Sequence, residues 1–445
     1  MRRAAPLLLT LVLGAVGSAQ PPSTGQTARV VDLGNGIYQA AGVGTGTAVR
    51  VPQSNTFMVV TSAGSVIIDT SGAAAAPLHK QALTAVNAGP IKAIVLTHAH
   101  GDHTGGVPLW RQPDTKVITQ QLFTEFLEYT DRLAGYFARS NVAQFGAGGV
   151  AIGGGGGAGR AAGAGAAAAG RGGRGSGATA GRGGVAPDVT FDDKYSFDVG
   201  STTFELYHTP GETPDHLTVW IPRLRTAFIG DNVYDSFPNM YTLRGTRPRW
   251  ALDYVNSINR VLALDPELVL PSHGAAIRGR DEVRRRLTRY RDAILYVHDA
   301  TVNGMNDGKD VLTLMNEIKL PPALDLGESY GRLTWSIRGI YEGYVGWFDG
   351  NVSTMFGPAS QAYGEVVKLA GGPDAVAARA RELAATDPVR ALYLTDMALA
   401  ASPAHRAALE ARLKALQTLD AGSNNSNERG WLAAGIREVQ AKLAP

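Results

Sequence analysis

Short runs of β-branched and aliphatic residues recur through the first part of the chain, at residues 56–60, 65–69, 93–97, 116–119, 203–208, 217–221, 226–229 and 268–270. Such runs, alternating or continuous and bounded by turn-forming residues, predict strands. Between them, apolar positions at three- and four-residue spacing predict helices over 77–87, 121–143, 249–264 and 280–303. After Asp310 the strand pattern stops. Helical periodicity continues over 311–318, 332–348, 358–369, 374–385, 388–401, 403–416 and 428–443. The order of patterns predicts an α/β region followed by an all-helical region.

Inside 332–348, Ile337, Tyr341, Tyr344 and Phe348 fall at steps of four, three and four, which puts them on one helical face. Gly339, Gly343 and Gly346 cost that helix about 1 kcal/mol each relative to alanine, so a close helix–helix approach is the expected compensation. Arg338 and Glu342 argue against a membrane dimer motif there. Residues 387–392 and 402–409 look like fragments of tetratricopeptide hairpins, too few for a solenoid and better suited to extending a dimerisation arm.

Two stretches fit neither pattern. Met1-Arg2-Arg3, an apolar run over 6–16 and small residues up to Ala19 predict a signal peptide over 1–19, and hence a periplasmic or secreted protein. That run is too short to span about 30 Å of hydrocarbon, and no membrane span is expected elsewhere. From Gly146 to Gly184, 19 of 39 residues are glycine and most others alanine. With almost no side chain to bury, 146–184 is expected to be a disordered insertion. Length alone suggests about three domains. With leader and insertion set aside, two are expected: 20–309 and 310–445.

Composition narrows the chemistry. The 445 residues include no cysteine, which excludes disulfides, thiolate metal sites and a cysteine nucleophile. Any metal must be held by His, Asp and Glu. A net charge of +3 is too small to argue for nucleic-acid binding, and none is expected.

Such ligands occur together directly after the run at 93–97, as His98-Ala99-His100-Gly101-Asp102-His103. Three imidazoles and a carboxylate in six positions suit a borderline cation such as Zn2+. The alternation lets His98 and His100 grip one ion while Asp102 and His103 face a neighbouring one. Gly101 and the Gly105-Gly106 pair are expected to relax the tight loop backbone.

The H-x-H-x-D-H motif resembles that of the metallo-β-lactamase superfamily, and matching pieces follow it. These are Thr209-Pro210-Gly211-Glu212, Gly230-Asp231-Asn232 and Pro271-Ser272-His273-Gly274. Glu212 stands where the wider superfamily has a metal-binding His, which is similar to the alkyl sulfatase branch. Residues 330–351 resemble the segment opening that branch's dimerisation region, and 237–245 resemble its sulfate-contacting stretch. The chain departs from the branch in carrying Asp231 for a bridging Glu and His216 near the position of a second Glu, and no C-terminal lipid-carrier-like domain is expected.

The resemblance implies an αββα sandwich followed by an all-helical dimerisation region, with a likeness extending from about Asp32 to Leu443. It implies two Zn2+ per subunit on His98, His100, Asp102, His103, Glu212, Asp231 and His273. Asp231 would bridge, Asp69 would orient a ligand His, and Asp102 and Asp231 would be catalytic. His208 and His216 are expected to be structural. A metal-activated hydroxide would attack a small sulfate ester, in the branch at carbon, within a homodimer. Two Zn2+ carry +4, while Asp102, Asp231, Glu212 and a hydroxide carry −4, so an anionic substrate needs a separate cation. Arg244 is the candidate, supported by Arg247 or Arg249, with Asn239 and Thr242 as neutral donors. Other readings of the same residues are hydrolysis of a lactone, phosphodiester or β-lactam, or a metal-binding scaffold with a helical partner-binding arm.

Overall fold

The structure is a computed structural model that describes residues 28–41, 54–146 and 185–445. The expected leader over 1–19 and nearly all of the expected insertion over 146–184 lie outside the described residues.

The first sheet contains β1 (Arg29–Gly34), β2 (Ile37–Ala41), β3 (Thr56–Thr61), β4 (Gly64–Ile68), β5 (Ile91–Val95), β6 (Lys116–Gln120) and β7 (Val189–Phe191), side by side in that order. Its first four strands are antiparallel and its last four, sharing β4, are parallel. The second sheet contains β8 (Lys194–Val199), β9 (Thr202–His208), β10 (Leu217–Ile221), β11 (Thr226–Gly230), β12 (Leu268–Pro271) and β13 (Ile277–Arg278), also in sequence order.

Alternation along the strands sorts side chains into layers. Phe57, Val59, Val66 and Ile68 of the first sheet meet Phe204, Leu206, Val219 and Phe228 of the second in a shared core. The intervening Met58, Ile67 and Ile94 face the other way, packing against α1 (Ala76–Val86), α3 (Val107–Trp110) and α4 (Phe123–Arg132). The short α2 (Gly101–Thr104) lies in the histidine motif, and α5 (Ala134–Phe145) follows α4. Trp220, Ala227 and Ile229 on the outer face of the second sheet pack against α6 (Ala251–Ala263) and α7 (Arg280–Asn306). The result is the αββα sandwich, with an all-helical region after it.

That region holds α8 (Val311–Glu317), α9 (Leu333–Val345), α10 (Tyr363–Leu369), α11 (Pro373–Leu383), α12 (Pro388–Ala401), α13 (Arg406–Gly422) and α14 (Ser426–Leu443). Ile337 and Ile340 bring α9 onto the core of the second sheet, while α11 to α14 pack on one another in succession.

Several expectations need correction. The helix expected over 121–143 is two, broken at Leu133, and β1 and β2 form a hairpin that the pattern missed. Its turn, Gly34-Asn35-Gly36, has all three residues at positive φ. The helix expected over 332–348 ends at Val345, because Gly346 adopts φ +78°. Phe348 is therefore off the helix, and Tyr344 is half exposed. Gly339 and Gly343 admit aromatic rings rather than another helix: a Cβ there would lie 2.8 Å from Tyr241 and 3.0 Å from Trp250.

Two glycines of α14 have opposite surroundings. A Cβ on Gly430 would collide with the backbone carbonyl of Gln144 in α5, whereas one on Gly435 would meet only the flexible end of Leu416 at 3.3 Å. Overpacking against backbone costs about 1–3 kcal/mol, and replacing glycine in a helix returns up to about 1 kcal/mol. Gly430→Ala is therefore expected to lower stability by about 1–2 kcal/mol and Gly435→Ala to leave it equal or higher. Urea unfolding of the two variants checks this. Equal midpoints would mean that α14 does not press on α5.

Candidate metal centre

The motif begins where β5 ends. Asp69 follows β4 at φ +54° and is fully buried. Its carboxylate accepts hydrogen bonds from Thr97 N at 2.8 Å, Thr97 Oγ1 at 2.8 Å and Ser272 Oγ at 2.7 Å. It also takes the Nδ1–H of His103 at 2.8 Å. A carboxylate at this nitrogen fixes the tautomer and turns Nε2 into the site.

Around His103 Nε2 stand Asp231 Oδ2 at 3.3 Å and Asp102 Oδ2 at 3.5 Å. His273 Nε2 lies 3.2 Å from Asp102 Oδ2 and 3.3 Å from Asp231 Oδ2. Ligands about 2.0–2.2 Å from a tetrahedral ion are separated by about 3.3 Å, so these four atoms have the spacing of one coordination shell. Beside them, His98 Nε2 faces His100 Nδ1 at 2.9 Å, with Asp231 Oδ2 3.8 Å from the former and Glu212 Oε1 3.8 Å from the latter. Asp231 thus borders both groups. Among the described residues, His103 Nε2 and Asp231 Oδ1 are buried without a hydrogen-bond partner, and buried polar atoms ordinarily have one. A divalent cation is what this donor set fits.

Electrostatics give the same reading. Burial opposes charge on His273, but Asp231 and Asp102 outweigh it and push its pKa up to about 10. Burial likewise opposes charge on His103, and Asp231, Asp102 and Asp69 raise it well above the ordinary value. His98 is lowered by burial and by His103 and His100, and His100 by burial and by Arg244 and Arg249. Protons on His103 and His273 balance the carboxylates where cations would otherwise do so.

Glu212 is buried and paired with Arg249, Nη1 to Oε1 at 2.6 Å, and it accepts from Tyr254 Oη at 3.0 Å. Burial lifts its pKa to about 7 against the pull of Arg249. The Glu212–Arg249 pair carries the same net charge as the neutral His it resembles in position. Arg249 also donates to the Asn239 carbonyl at 2.9 Å, and Arg244 to Thr242 Oγ1 at 3.3 Å. Arg244 Nε, Arg249 Nε and Nη2, and both polar atoms of the Asn239 side chain are buried without partners among the described residues. Arg244, Asn239, Thr242 and Arg249 thus gather beside the carboxylates. Arg247 does not join them: it pairs with Glu125 at 2.8 Å over the Tyr129 ring.

The two histidines expected to be structural, His216 and His208, contact backbone groups. His216 Nε2 accepts Asp231 N–H at 3.0 Å, and burial lowers its pKa to about 4. His208 Nε2 donates to the Pro214 carbonyl at 2.7 Å. Gly106 is needed because a Cβ would strike the Thr70 carbonyl, and Gly105 because one would lie 2.5 Å from Ala73 N. Close approach, rather than backbone freedom, explains both. Sequence reasoning missed Tyr234, whose hydroxyl donates to Asp231 Oδ2 at 3.0 Å, and Tyr254. Tyr234 lies three residues past Asp231, but nothing local connects Tyr254 to Glu212.

The metallo-beta-lactamase superfamily model matches residues 49–273, half of the chain, and the protein belongs to that superfamily. Residues 311–442 match "Alkyl sulfatase dimerisation", and the two regions together are those of its alkylsulfatase branch. A linear primary-alkylsulfatase from a Pseudomonas species is 29% identical over 80% of this chain and 68% of its own length. An alkyl/aryl-sulfatase of Saccharomyces cerevisiae is 25% identical over 65% of this chain and 46% of its own. The solved stereoselective inverting sec-alkylsulfatase from Pseudomonas sp. superposes with a TM-score of 0.79 at 23% identity, covering 94% of this chain and 66% of that one. The chain thus spans between about half and two thirds of the length of these relatives.

Metal must displace the protons on His103 and His273. Adding Zn2+ to metal-free protein at pH 8 in weak buffer is expected to release more than one proton per chain, with affinity falling toward pH 6. A pH-stat titration measures it. Binding without proton release would place the ion elsewhere.

Proposed function

We propose that this protein is a hydrolase of small-molecule sulfate esters. It holds two Zn2+ per subunit, works as a homodimer, and acts in the periplasm or outside the cell after loss of residues 1–19. The observation that carries the reading is the set of buried donors without partners among the described residues, on Arg244, Arg249 and Asn239, beside the His and carboxylate cluster. Arg249 already has Glu212, but Arg244 has no carboxylate partner among the described residues, and burying its guanidinium this way is costly unless an anion meets it. A sulfate ester presents three oxygens to such a set, and the alkylsulfatase relatives support that choice.

In this reading His98, His100, Glu212 and Asp231 would hold one ion, and Asp102, His103, His273 and Asp231 the other. Bound there, the ions would supply an acidified water as nucleophile and Lewis acidity for the departing oxygen. The protein's own groups do the positioning. Asp69 fixes His103 through Nδ1, Tyr234 holds Asp231 through Oδ2, and Arg244 with Asn239 and Thr242 orients the sulfate. Arg249 favours the ionised form of Glu212 against burial while adding positive charge beside the anion. Hydrolysis adds water across the ester to give an alcohol and hydrogen sulfate. With attack at carbon, the water oxygen enters the alcohol and the sulfate leaves intact.

Alkyl sulfates are expected to turn over, and Arg244→Ala to cut kcat/KM about 10- to 100-fold, the loss of a charged hydrogen-bonding partner worth about 1.5–3 kcal/mol. A screen of alkyl sulfates against lactones, phosphodiesters and β-lactams tests the assignment, and hydrolysis in 18O-labelled water locates the cleaved bond. Turnover confined to another ester class, or full activity of Arg244→Ala, rejects the proposal, and label in the sulfate rejects attack at carbon.

The homodimer rests on the match to the dimerisation family and on an exposed apolar run after α9. Trp347 is 73% exposed, Val352 64% and Phe356 77%. Contiguous apolar surface of this kind marks a contact. Trp347→Asp with Phe356→Asp is expected to shift the protein to monomer in sedimentation velocity, and an unchanged dimer would move the interface off this run.

A further inference from the structure

The helical region connects to the anion pocket at the first turn of α14, through the segment 327–331 and α5. Asn425 is fully buried, and Asn427 nearly so. The Asn425 Nδ2 amide donates to the carbonyls of Glu328 at 2.7 Å, Tyr330 at 3.0 Å and Gly331 at 3.3 Å. Its Oδ1 accepts Glu428 N–H at 2.9 Å and so caps the helix. Asn427 Nδ2 donates to the Tyr330 carbonyl at 2.9 Å, while its Oδ1 receives Gln144 Nε2 of α5 at 2.8 Å. Trp431 Nε1 donates to the other side of the same amide, Gln144 Oε1, at 3.1 Å.

What these asparagines hold lies against the anion pocket. Segment 327–331 is tied to the loop that leads into Asn239: Phe237 N donates to the Gly327 carbonyl at 2.8 Å, Gly331 N to the Phe237 carbonyl at 3.0 Å, and Tyr330 N to Ser236 Oγ at 3.1 Å. Gly331 presses so closely that a Cβ would collide with the Pro238 carbonyl, next to Asn239. The Tyr330 ring rests on Tyr234, 5.0 Å between centroids, and Tyr234 holds Asp231. On the other side, Gln144 is followed by Phe145, whose ring lies under the Arg244 guanidinium at 5.5 Å. One helical turn grips both the loop of Asn239 and the helix end beneath Arg244.

We infer that the first turn of α14 is a positioning clamp for the anion pocket, so that the helical region sets substrate affinity in addition to any part in subunit contact. Asn425 and Asn427 are positioning residues, since they act through segment 327–331 and α5 and touch no substrate. The inference rests on the sulfate-ester reading for its kinetic consequence but not for its structural one.

Asn425→Ser separates the two jobs of Asn425, because serine still caps a helix but cannot reach three carbonyls. Asn425→Ala removes both. In the zinc-loaded full-length protein, each variant is expected to raise KM for hexyl sulfate and the inhibition constant of inorganic sulfate together by about tenfold, the worth of a lost buried hydrogen bond or two. Zinc content is expected to stay unchanged, and kcat to change less than about threefold. A purely structural lesion would lower the active fraction, which reduces apparent kcat and leaves KM and sulfate inhibition where they were; that outcome overturns the proposal. Hydrogen exchange read on peptides containing Phe237, Tyr330 and Gly331 tests the clamp without any substrate. Exchange at least about tenfold faster in Asn425→Ser supports it, and wild-type rates overturn it. Should the wild type fail to hydrolyse sulfate esters, the proposed function falls while the exchange result still decides the clamp.

Discussion

A single buried carboxylate joins the two halves of the sandwich. Asp69 leaves the first sheet after β4 and receives hydrogen bonds from Thr97 after β5, His103 in the motif loop, and Ser272 after β12 of the second sheet. Asn55 reinforces the seam from the other direction, its backbone N–H reaching the Ser272 carbonyl at 2.7 Å and its side chain the Pro271 carbonyl at 3.1 Å. A fully buried carboxylate is tolerable only when its oxygens are met by donors, so the strand ends must converge for the fold to close. That convergence brings His273 of one sheet within reach of Asp102 of the other.

The site built on this seam is a balance of buried charges. Asp102 and Asp231 stay ionised despite burial because His103 and His273 face them. Glu212 has a different neutraliser in Arg249, which reaches it from the segment just before α6. Replacing a neutral imidazole with a carboxylate would make the cation site less attractive to anions, and the guanidinium restores the balance. Arg249 also contacts the Asn239 backbone, so the exchange ties the metal side of the site to its anion side. This is a buried ion pair whose value lies in geometry and charge placement more than in stability.

The helical region belongs to this balance as well as to the surface. Its α9 completes the core on the outer face of the second sheet, and its α14 reaches the segment behind the Asn239 loop. Among the described residues no helix is long and apolar enough to cross a membrane. The apolar residues exposed after α9 are concentrated where Gly346 ends that helix and turns the chain outward.

The sequence by itself determined what is local. Strand alternation separated Phe57 and Val59 from Met58, and six consecutive positions carried four candidate ligands on one loop. The Gly-Asp and Ser-His pieces that supply Asp231 and His273 were legible through their likeness to the superfamily's motif pieces. Tertiary structure decided everything that depends on distant partners. Whether Arg247 or Arg249 turns inward is settled by Glu212 and by Glu125, which lie about 40 and 120 residues away in the chain. Tyr254 meets Glu212, and Asn425 meets Tyr330, only once the layers are stacked. The break at Leu133 and the end of α9 at Gly346 likewise fall inside continuous helical periodicity. Periodicity records which face of an element is apolar. It does not record what the other elements place against that face, and the charges of this site are set by those neighbours.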